Sequence, residues 1–360
     1  MGLLDKIKPH EVTADLFRYK ITISGRPKSG KSSLVYKLAK KEFNGDLSKL
    51  LLFGFERGYS ALDGIHAIDI PDWETALELA DELIDGKDDT TYKVLVFDTV
   101  DRLEKVATDY VIKQAKRNDK KNYKTLGDIP WGAGYAMLGD AVSDLISSLD
   151  MAGYTLWFIT HDKDKKFETK DGLSYDKTVL SLGGRVGDIV KNDSDFIVFI
   201  ELAKELDDEG NVVDNRYIHF RGDGALEAGG RFENLPDKIE YDVDDFLYTI
   251  KNAILQDGFD GDEEKMNEAL KEQQAEFEEK LKENASKKEE KNETKKVDED
   301  DSLDLEALQK ELQIVVKGLS TEERKEVAPI IKEKLGTLKV REVTDAKLIN
   351  EVISHIKDNY

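Results

Sequence analysis

The stretch Gly25-Arg26-Pro27-Lys28-Ser29-Gly30-Lys31-Ser32 constrains this 360-residue chain more than any other part of it. An alternating, β-rich run over residues 17–24 leads into it, and a helical pattern over residues 32–41 follows. In a strand–turn–helix, glycines at both ends of the turn let successive backbone N–H groups point at one anion. Lys31 adds a point charge for β and γ phosphates, and Ser32 adds a hydroxyl for Mg²⁺. The helix contributes the positive end of its dipole. Gly25, Arg26, Pro27, Lys28, Ser29, Gly30, Lys31, Ser32 and Ser33 are therefore expected to cradle nucleotide phosphates, with ATP and Mg²⁺ as ligands. The competing reading is a chance match in a surface loop. The strand before the motif and the helix after it weigh against that.

A bound Mg²⁺ also wants a carboxylate from the end of a neighbouring strand. The apolar run Val94-Leu95-Val96-Phe97 ends in Asp98, which Thr99 is expected to hold by hydrogen bonding. A plain helix N-cap is the alternative use of Asp98. Hydrolysis further needs a group to orient or deprotonate water. Glu56, closing the strand Leu51 to Phe55, is the candidate, on a strand expected beside that of the phosphate loop. The alternative is an exposed strand-end charge paired with Arg57. His161, after Trp157-Phe158-Ile159-Thr160, is placed to sense a γ-phosphate, or else is a solvated strand end. A guanine-reading Asn-Lys-x-Asp motif does not occur, and Thr160-His161-Asp162-Lys163-Asp164 is a poor substitute for one.

Strand and helix signals alternate from residue 17 to about 200, which predicts a mainly parallel sheet covered on both faces. Strands over residues 196–201 and 212–220 follow one another without a helix, so an antiparallel extension is expected. The chain divides into an α/β core over residues 1–256, a charged linker over 257–302 and a small all-α module of three helices over 303–360. The linker is expected to be partly helical (260–283) and partly disordered, because it has too little apolar surface to order itself. In the module, Ser320 with Glu323 reads as a capping box and Thr344 as a further cap. Acidic residues outnumber basic ones by 76 to 54, but a disproportionate share of the excess lies in residues 257–302, so the total says little about any one face of the core. The chain has no cysteine, which excludes disulfides, thiolate nucleophiles and cysteine zinc sites. No run approaches the roughly 20 apolar residues that cross a bilayer. Residues 1–10 are too short and mixed for a secretory signal, so a cytoplasmic setting is expected.

In order, Gly25 to Ser32, Phe55-Glu56-Arg57-Gly58, Phe97-Asp98-Thr99-Val100, Gly132-Ala133-Gly134-Tyr135 and Ile159-Thr160-His161 resemble the RecA-like ATPases of phages. The similarity is to the Sak-type group, AAA-family nucleotide-binding proteins linked to single-strand annealing and recombination, and it covers residues 17–255. It implies a RecA-like P-loop NTPase core, ATP with Mg²⁺, self-assembly with ATP at subunit interfaces, and single-stranded DNA as partner. It casts Glu56 as the catalytic carboxylate and His161 as the sensor. It also offers Arg231, or Arg185 in Gly183-Gly184-Arg185, as the residue that completes a neighbouring subunit's site. Gly229 and Gly230 stand where such proteins often carry a lysine.

Single-strand binding combines cations with flat stacking groups. Two segments, both read as loops, have that composition. In one, Lys113, Lys116, Arg117, Lys120, Lys121 and Lys124 surround Tyr123. In the other, Lys163, Lys165, Lys166 and Lys170 surround Phe167. A solvated basic face is the bland reading of each. Two functions are consistent with the whole: a DNA-stimulated ATPase, or an ATP-gated adaptor whose C-terminal helices recruit a replication or recombination partner with little hydrolysis.

Overall fold

In the computed structural model, Ile21–Gly25 (β1) is buried at every position. Complete burial of a short strand requires neighbours on both edges and cover on both faces. The edge neighbours are Thr155–Thr160 (β5) and Phe196–Leu206 (β8), both parallel to β1. Val94–Asp98 (β4) pairs with β5, Leu50–Gly54 (β2) pairs with β4, and His66–Asp69 (β3) closes that edge against β2, all in parallel. Beyond β8 the sheet turns antiparallel through Val212–His219 (β9) and Lys238–Glu240 (β11), while the short Gly229–Gly230 (β10) pairs with the start of β8. The nine-stranded sheet is thus the mainly parallel sheet of an α/β core, with the expected antiparallel extension. The structure describes residues 12–207, 209–275, 308–309, 312, 315–316, 327, 329–332, 334–335, 343 and 345–359.

Side chains alternate between the two faces of the sheet. Ile21, Ile23, Val94 and Val96 pack with Leu34 and Leu38 of Lys31–Glu42 (α1) and with Phe246 and Ile250 of Val243–Phe259 (α6). Leu95, Phe97 and Phe158 face the other way. They pack with Trp73 of Trp73–Asp85 (α2), Leu103 of Val100–Asp119 (α3), Val142 of Ala133–Met151 (α4) and Val190 of Gly184–Asp193 (α5).

Two expectations about neighbours are corrected. The strand before Glu56 is not beside β1, because β5 and β4 stand between them, and Asp98 itself lies one strand away from β1. Chain order is not sheet order here, since β5 inserts next to β1 late in the chain. The basic segment after His161 is not a loop. It forms a two-stranded antiparallel ribbon, Asp162–Glu168 (β6) with Ser174–Leu180 (β7). An exposed ribbon buries neither face, so its sequence shows no apolar alternation.

The chain divides into two compact units, Met1–Ala285 and Ser286–Tyr360. In the first, α6 continues to Phe259 and residues 263–275 are again helical. Met266 and Leu270 pack against the α1–α6 side of the core. Gln273 Oε1 accepts hydrogen bonds from Thr13 Oγ1 (2.9 Å) and Ala14 N (3.1 Å). In the second unit Leu312, Val327, Ile331, Val352 and Ile356 share a cluster. The terminal helix Ala346–Asn359 is capped by Asp345, whose Oδ1 accepts from Lys347 N and Leu348 N. Ser320, Glu323 and Thr344 lie outside the described residues, as does the linker beyond residue 275. Among the described residues no helix is long and apolar enough to cross a membrane.

Candidate nucleotide site

The connection from β1 to α1 turns back over the carboxyl end of the sheet. Gly25 (φ 152°) and Gly30 (φ 104°) bracket it. A Cβ on Gly25 would lie 2.7 Å from the Ile200 carbonyl oxygen, and one on Gly30 would lie 2.8 Å from the Tyr241 hydroxyl. Both positions thus need glycine for conformation and for space. Tyr241 donates to the Gly30 carbonyl (2.8 Å), and the Arg216 guanidinium sits over its ring at 4.6 Å, so the rim of β9 and β11 braces the turn. The Lys31 ammonium donates to the carbonyls of Gly25 (2.6 Å) and Arg26 (2.9 Å). Burial holds its pKa below the ordinary amine value, against the pull of nearby carboxylates led by Asp98.

Ser32 Oγ donates to Asp98 Oδ2 at 2.6 Å. Asp98 is 2% exposed, and burial pushes its pKa up to about 6 in spite of the Ser32 hydroxyl and the Lys31 charge. Lys28, Gly30, Lys31, Ser32, Ser33, Glu56, Gly58, Asp98, Thr99 and His161 line one cleft of about 350 Å³. The motifs that lie far apart in sequence therefore meet. The backbone places Glu56, whose N–H donates to the Asp98 carbonyl at 3.0 Å. Arg57 is not its partner: Arg57 pairs with Asp69, and the cation nearest Glu56 Oε2 is Arg102 at 3.9 Å. Thr99 does not hold Asp98 either. Its Oγ1 is buried without a hydrogen-bond partner, as is Glu56 Oε2. Buried polar atoms of this kind carry a desolvation cost unless a ligand or water satisfies them. With the loop amides, the Lys31 charge and the Ser32–Asp98 pair, they fit a nucleotide triphosphate and a hard, oxygen-seeking cation such as Mg²⁺.

His161 is fixed by a residue that the sequence reading missed. Asp101 Oδ2 lies 3.0 Å from His161 Nδ1, and Asp101 Oδ1 accepts from the His161 backbone N–H at 3.2 Å. The one trace of it in the sequence is an acidic residue in the first turn of α3. The next residue, Asp162, has a buried carboxylate 3.0 Å from Arg26 Nε of the phosphate loop.

Of the remaining candidates, Tyr123 is corrected. It is 6% exposed, packs among the residues under α3 and α4, and donates to Asp119 Oδ2 at 2.7 Å. An aromatic ring flanked by lysines anchors the chain there instead of offering a stacking face. Lys120 and Lys121 beside it are exposed. Lys163 donates to the Leu182 carbonyl at 3.0 Å, whereas Lys165 and Lys166 project from the ribbon. Lys165 lies 5.2 Å over the Phe167 ring, which stacks on Tyr175 with centroids 5.8 Å apart. Arg231 pairs with Asp195 at 3.0 Å beside the first residues of β8, at the end of the sheet opposite Gly25. Arg185 pairs with Asp140 at 2.6 Å. Neither arginine lines the cleft of its own chain.

A family model described as an AAA domain matches residues 18–232. The chain belongs to this family of P-loop ATPases, nucleotide-binding proteins whose phosphate loop is the one built here from β1, Gly25–Ser33 and α1. No curated protein matches the chain.

Proposed function

We propose that this protein is a RecA-like ATPase that hydrolyses ATP with Mg²⁺ and acts on single-stranded DNA in recombination, annealing or replication. The observation that carries the reading is the meeting of Lys31, the Ser32–Asp98 pair, Glu56 and His161 in one cleft, with His161 leading directly into a cationic ribbon. The ordered resemblance to Sak-type phage ATPases supports the DNA partner.

In this reading the loop amides and Lys31 bind the phosphates, Lys31 exchanging the carbonyls of Gly25 and Arg26 for phosphate oxygens. Ser32 and Asp98 would hold Mg²⁺, which supplies charge neutralisation to the phosphates when bound. Glu56 orients a water molecule and accepts its proton as the water oxygen bonds to the γ-phosphorus. The bond to the bridging oxygen breaks, releasing ADP and phosphate. His161, held by Asp101, reports the γ-phosphate to Asp162 and the ribbon. Lys165 and Lys166 with the Phe167–Tyr175 stack offer cations and a flat face to single strands. The lining of the cleft includes lysine but no arginine among the described residues, which favours self-association in which a neighbour's Arg231 or Arg185 completes the site.

ATP turnover with and without single-stranded DNA, for the wild type and Glu56→Gln, tests the proposal. DNA should stimulate the wild type, and Glu56→Gln should bind ATP but turn over at least about 100-fold more slowly. Normal turnover by Glu56→Gln removes the base assignment. ATP binding without turnover in the wild type favours the adaptor function instead.

A further inference from the structure

The chain has three tryptophans. Trp73 (1% exposed) and Trp157 (0%) are core residues, but Trp131 is fully exposed, at 101%. It stands in the short turn Pro130–Gly132, immediately before α4, with φ 62°. A bulky residue in the left-handed region is unusual, and here the conformation aims an indole at solvent.

The turn beneath it is pinned. Asp128 Oδ2 accepts from Lys124 N (2.7 Å) and Thr125 N (2.9 Å), and Thr125 with Asp128 forms a capping box. Leu126 and Ile129 are buried, and Gly134 packs so closely on Leu126 that a Cβ there would lie 2.5 Å from its carbonyl oxygen. Tyr123 is buried just upstream. The exposed Tyr135 follows one turn into α4, and the exposed Lys120, Lys121 and Lys124 precede the pinned turn. Because α4 runs down to Met151 and the chain then enters β5, its first turn lies toward the end of the sheet that carries the cleft. Lone exposed apolar residues are ordinary. A fully exposed tryptophan on a pinned backbone turn, preceded by exposed cations, is a ring held out to solvent at a defined place.

We propose that Trp131 is a base-stacking platform for single-stranded nucleic acid, in the place the sequence offered to Tyr123, with Lys120, Lys121 and Lys124 meeting the phosphates. The inference rests on the single-strand reading above and adds a second contact surface to the ribbon. Stacking on an indole tolerates any base and costs little side-chain entropy, which suits a protein that must bind single strands regardless of sequence.

Trp131 is its own reporter, since the other indoles are buried. The full-length protein is titrated with fluorescein-labelled oligo(dT), with anisotropy followed on the label and emission on tryptophan. Binding should quench the long-wavelength tryptophan emission. Trp131→Ala should weaken binding about 10-fold, and Trp131→Phe, which keeps a stacking ring, should weaken it less than about 3-fold while losing the quench. Binding of oligo(dT) with wild-type affinity by Trp131→Ala, and with no quench in the wild type, overturns the inference and leaves the single-strand reading intact. No binding of oligo(dT) by the wild type, with or without ATP, removes that reading and this inference together. A change of oligomeric size in Trp131→Ala at unchanged DNA affinity assigns the surface to another copy of the chain and equally overturns it.

Discussion

Arg26, inside the phosphate loop, lies 3.0 Å through its Nε from the carboxylate of Asp162, whose side chain is 1% exposed. Its Nη2 donates to Asp164 at 2.8 Å. The loop that would hold phosphates is thereby joined to the first strand of the ribbon, one residue after His161. Removing one partner from a buried pair leaves an uncompensated charge, whereas removing both does not. Arg26→Ala should therefore destabilise the protein more than Arg26→Ala combined with Asp162→Asn. Arg26 is half exposed, so solvent screening limits the coupling to about 1–2 kcal/mol. Denaturant unfolding of the four proteins in a double-mutant cycle measures it; additive effects would show that the contact joins nothing. If the link carries nucleotide state to the ribbon, Arg26→Ala should also abolish the effect of ATP on oligo(dT) affinity when both proteins are compared at saturating ATP.

The Ser32–Asp98 pair sets a pH dependence. The unfolded Asp98 carboxyl ionises near its ordinary value, but in the fold burial raises it to about 6. Between these values the folded state binds more protons than the unfolded state. Stability contributed by Asp98 therefore falls as pH rises through this window, and the penalty is fully present above about pH 6. A displacement of roughly two pH units corresponds to at most about 3 kcal/mol. Asp98→Asn should accordingly make the nucleotide-free protein about 1–3 kcal/mol more stable at pH 8 and no more stable at pH 4. Urea unfolding at the two pH values checks this, and equal gains at both would refute the burial argument. The same substitution should weaken Mg²⁺-dependent nucleotide binding, because the site loses its carboxylate.

Lys31 donates to the buried carbonyl of Gly25 and the part-buried carbonyl of Arg26, and the cost of leaving these acceptors unpaired is offset by no longer burying an ammonium. Lys31→Ala should keep the fold, with a melting temperature within a few degrees of the wild type. ATP affinity should drop at least about 30-fold, the loss of a charge-assisted bond of about 2 kcal/mol or more. Calorimetric titration with ATP decides it, and retained affinity would undo the phosphate-loop reading.

The parts of the site that were legible in sequence are those whose chemistry needs a residue type at a fixed spacing. Gly25, Gly30, Lys31 and Ser32 are set by backbone geometry within one turn, and Asp98 ends a run too apolar to be anything but a buried strand. Sheet order was not legible, because the insertion of β5 between β1 and β4 is decided by long-range pairing that leaves no local pattern. Asp101 acts on His161 across 60 positions, through a helix start that looks like many others. Tyr123 lies between Asn122 and Lys124 and Trp131 between Pro130 and Gly132, but neither pair of neighbours says which ring is buried. One ring faces α3 and the other faces water because of how residues 124–130 turn. The ribbon was missed because its lysines and aspartates carry no buried face to impose a period.

Helix α6 runs past residue 256 to Phe259, and residues 263–275 are again helical. A boundary near residue 256 suggests truncating after Leu255 to learn whether the acidic region competes with DNA for the basic surfaces. That cut removes Phe259, which is 5% exposed, together with the packing of Met266 and Leu270 and the hydrogen bonds that Gln273 Oε1 accepts from Thr13 and Ala14. Loss of one buried aromatic alone costs about 3–5 kcal/mol, a large fraction of the stability of an ordinary domain. A chain ending at Leu255 should therefore melt at least about 10 °C below the full-length protein, whereas one ending at Ala275 should melt within a few degrees of it. The Ala275 chain keeps this packing and lacks the acidic residues beyond it. A tethered segment of net negative charge competes at high effective concentration and is screened by salt. The Ala275 chain should bind oligo(dT) more tightly than the full-length chain at 50 mM salt, with the gap closing by about 300 mM. An equal affinity for the two chains across the salt series would mean that the acidic residues only separate the two units.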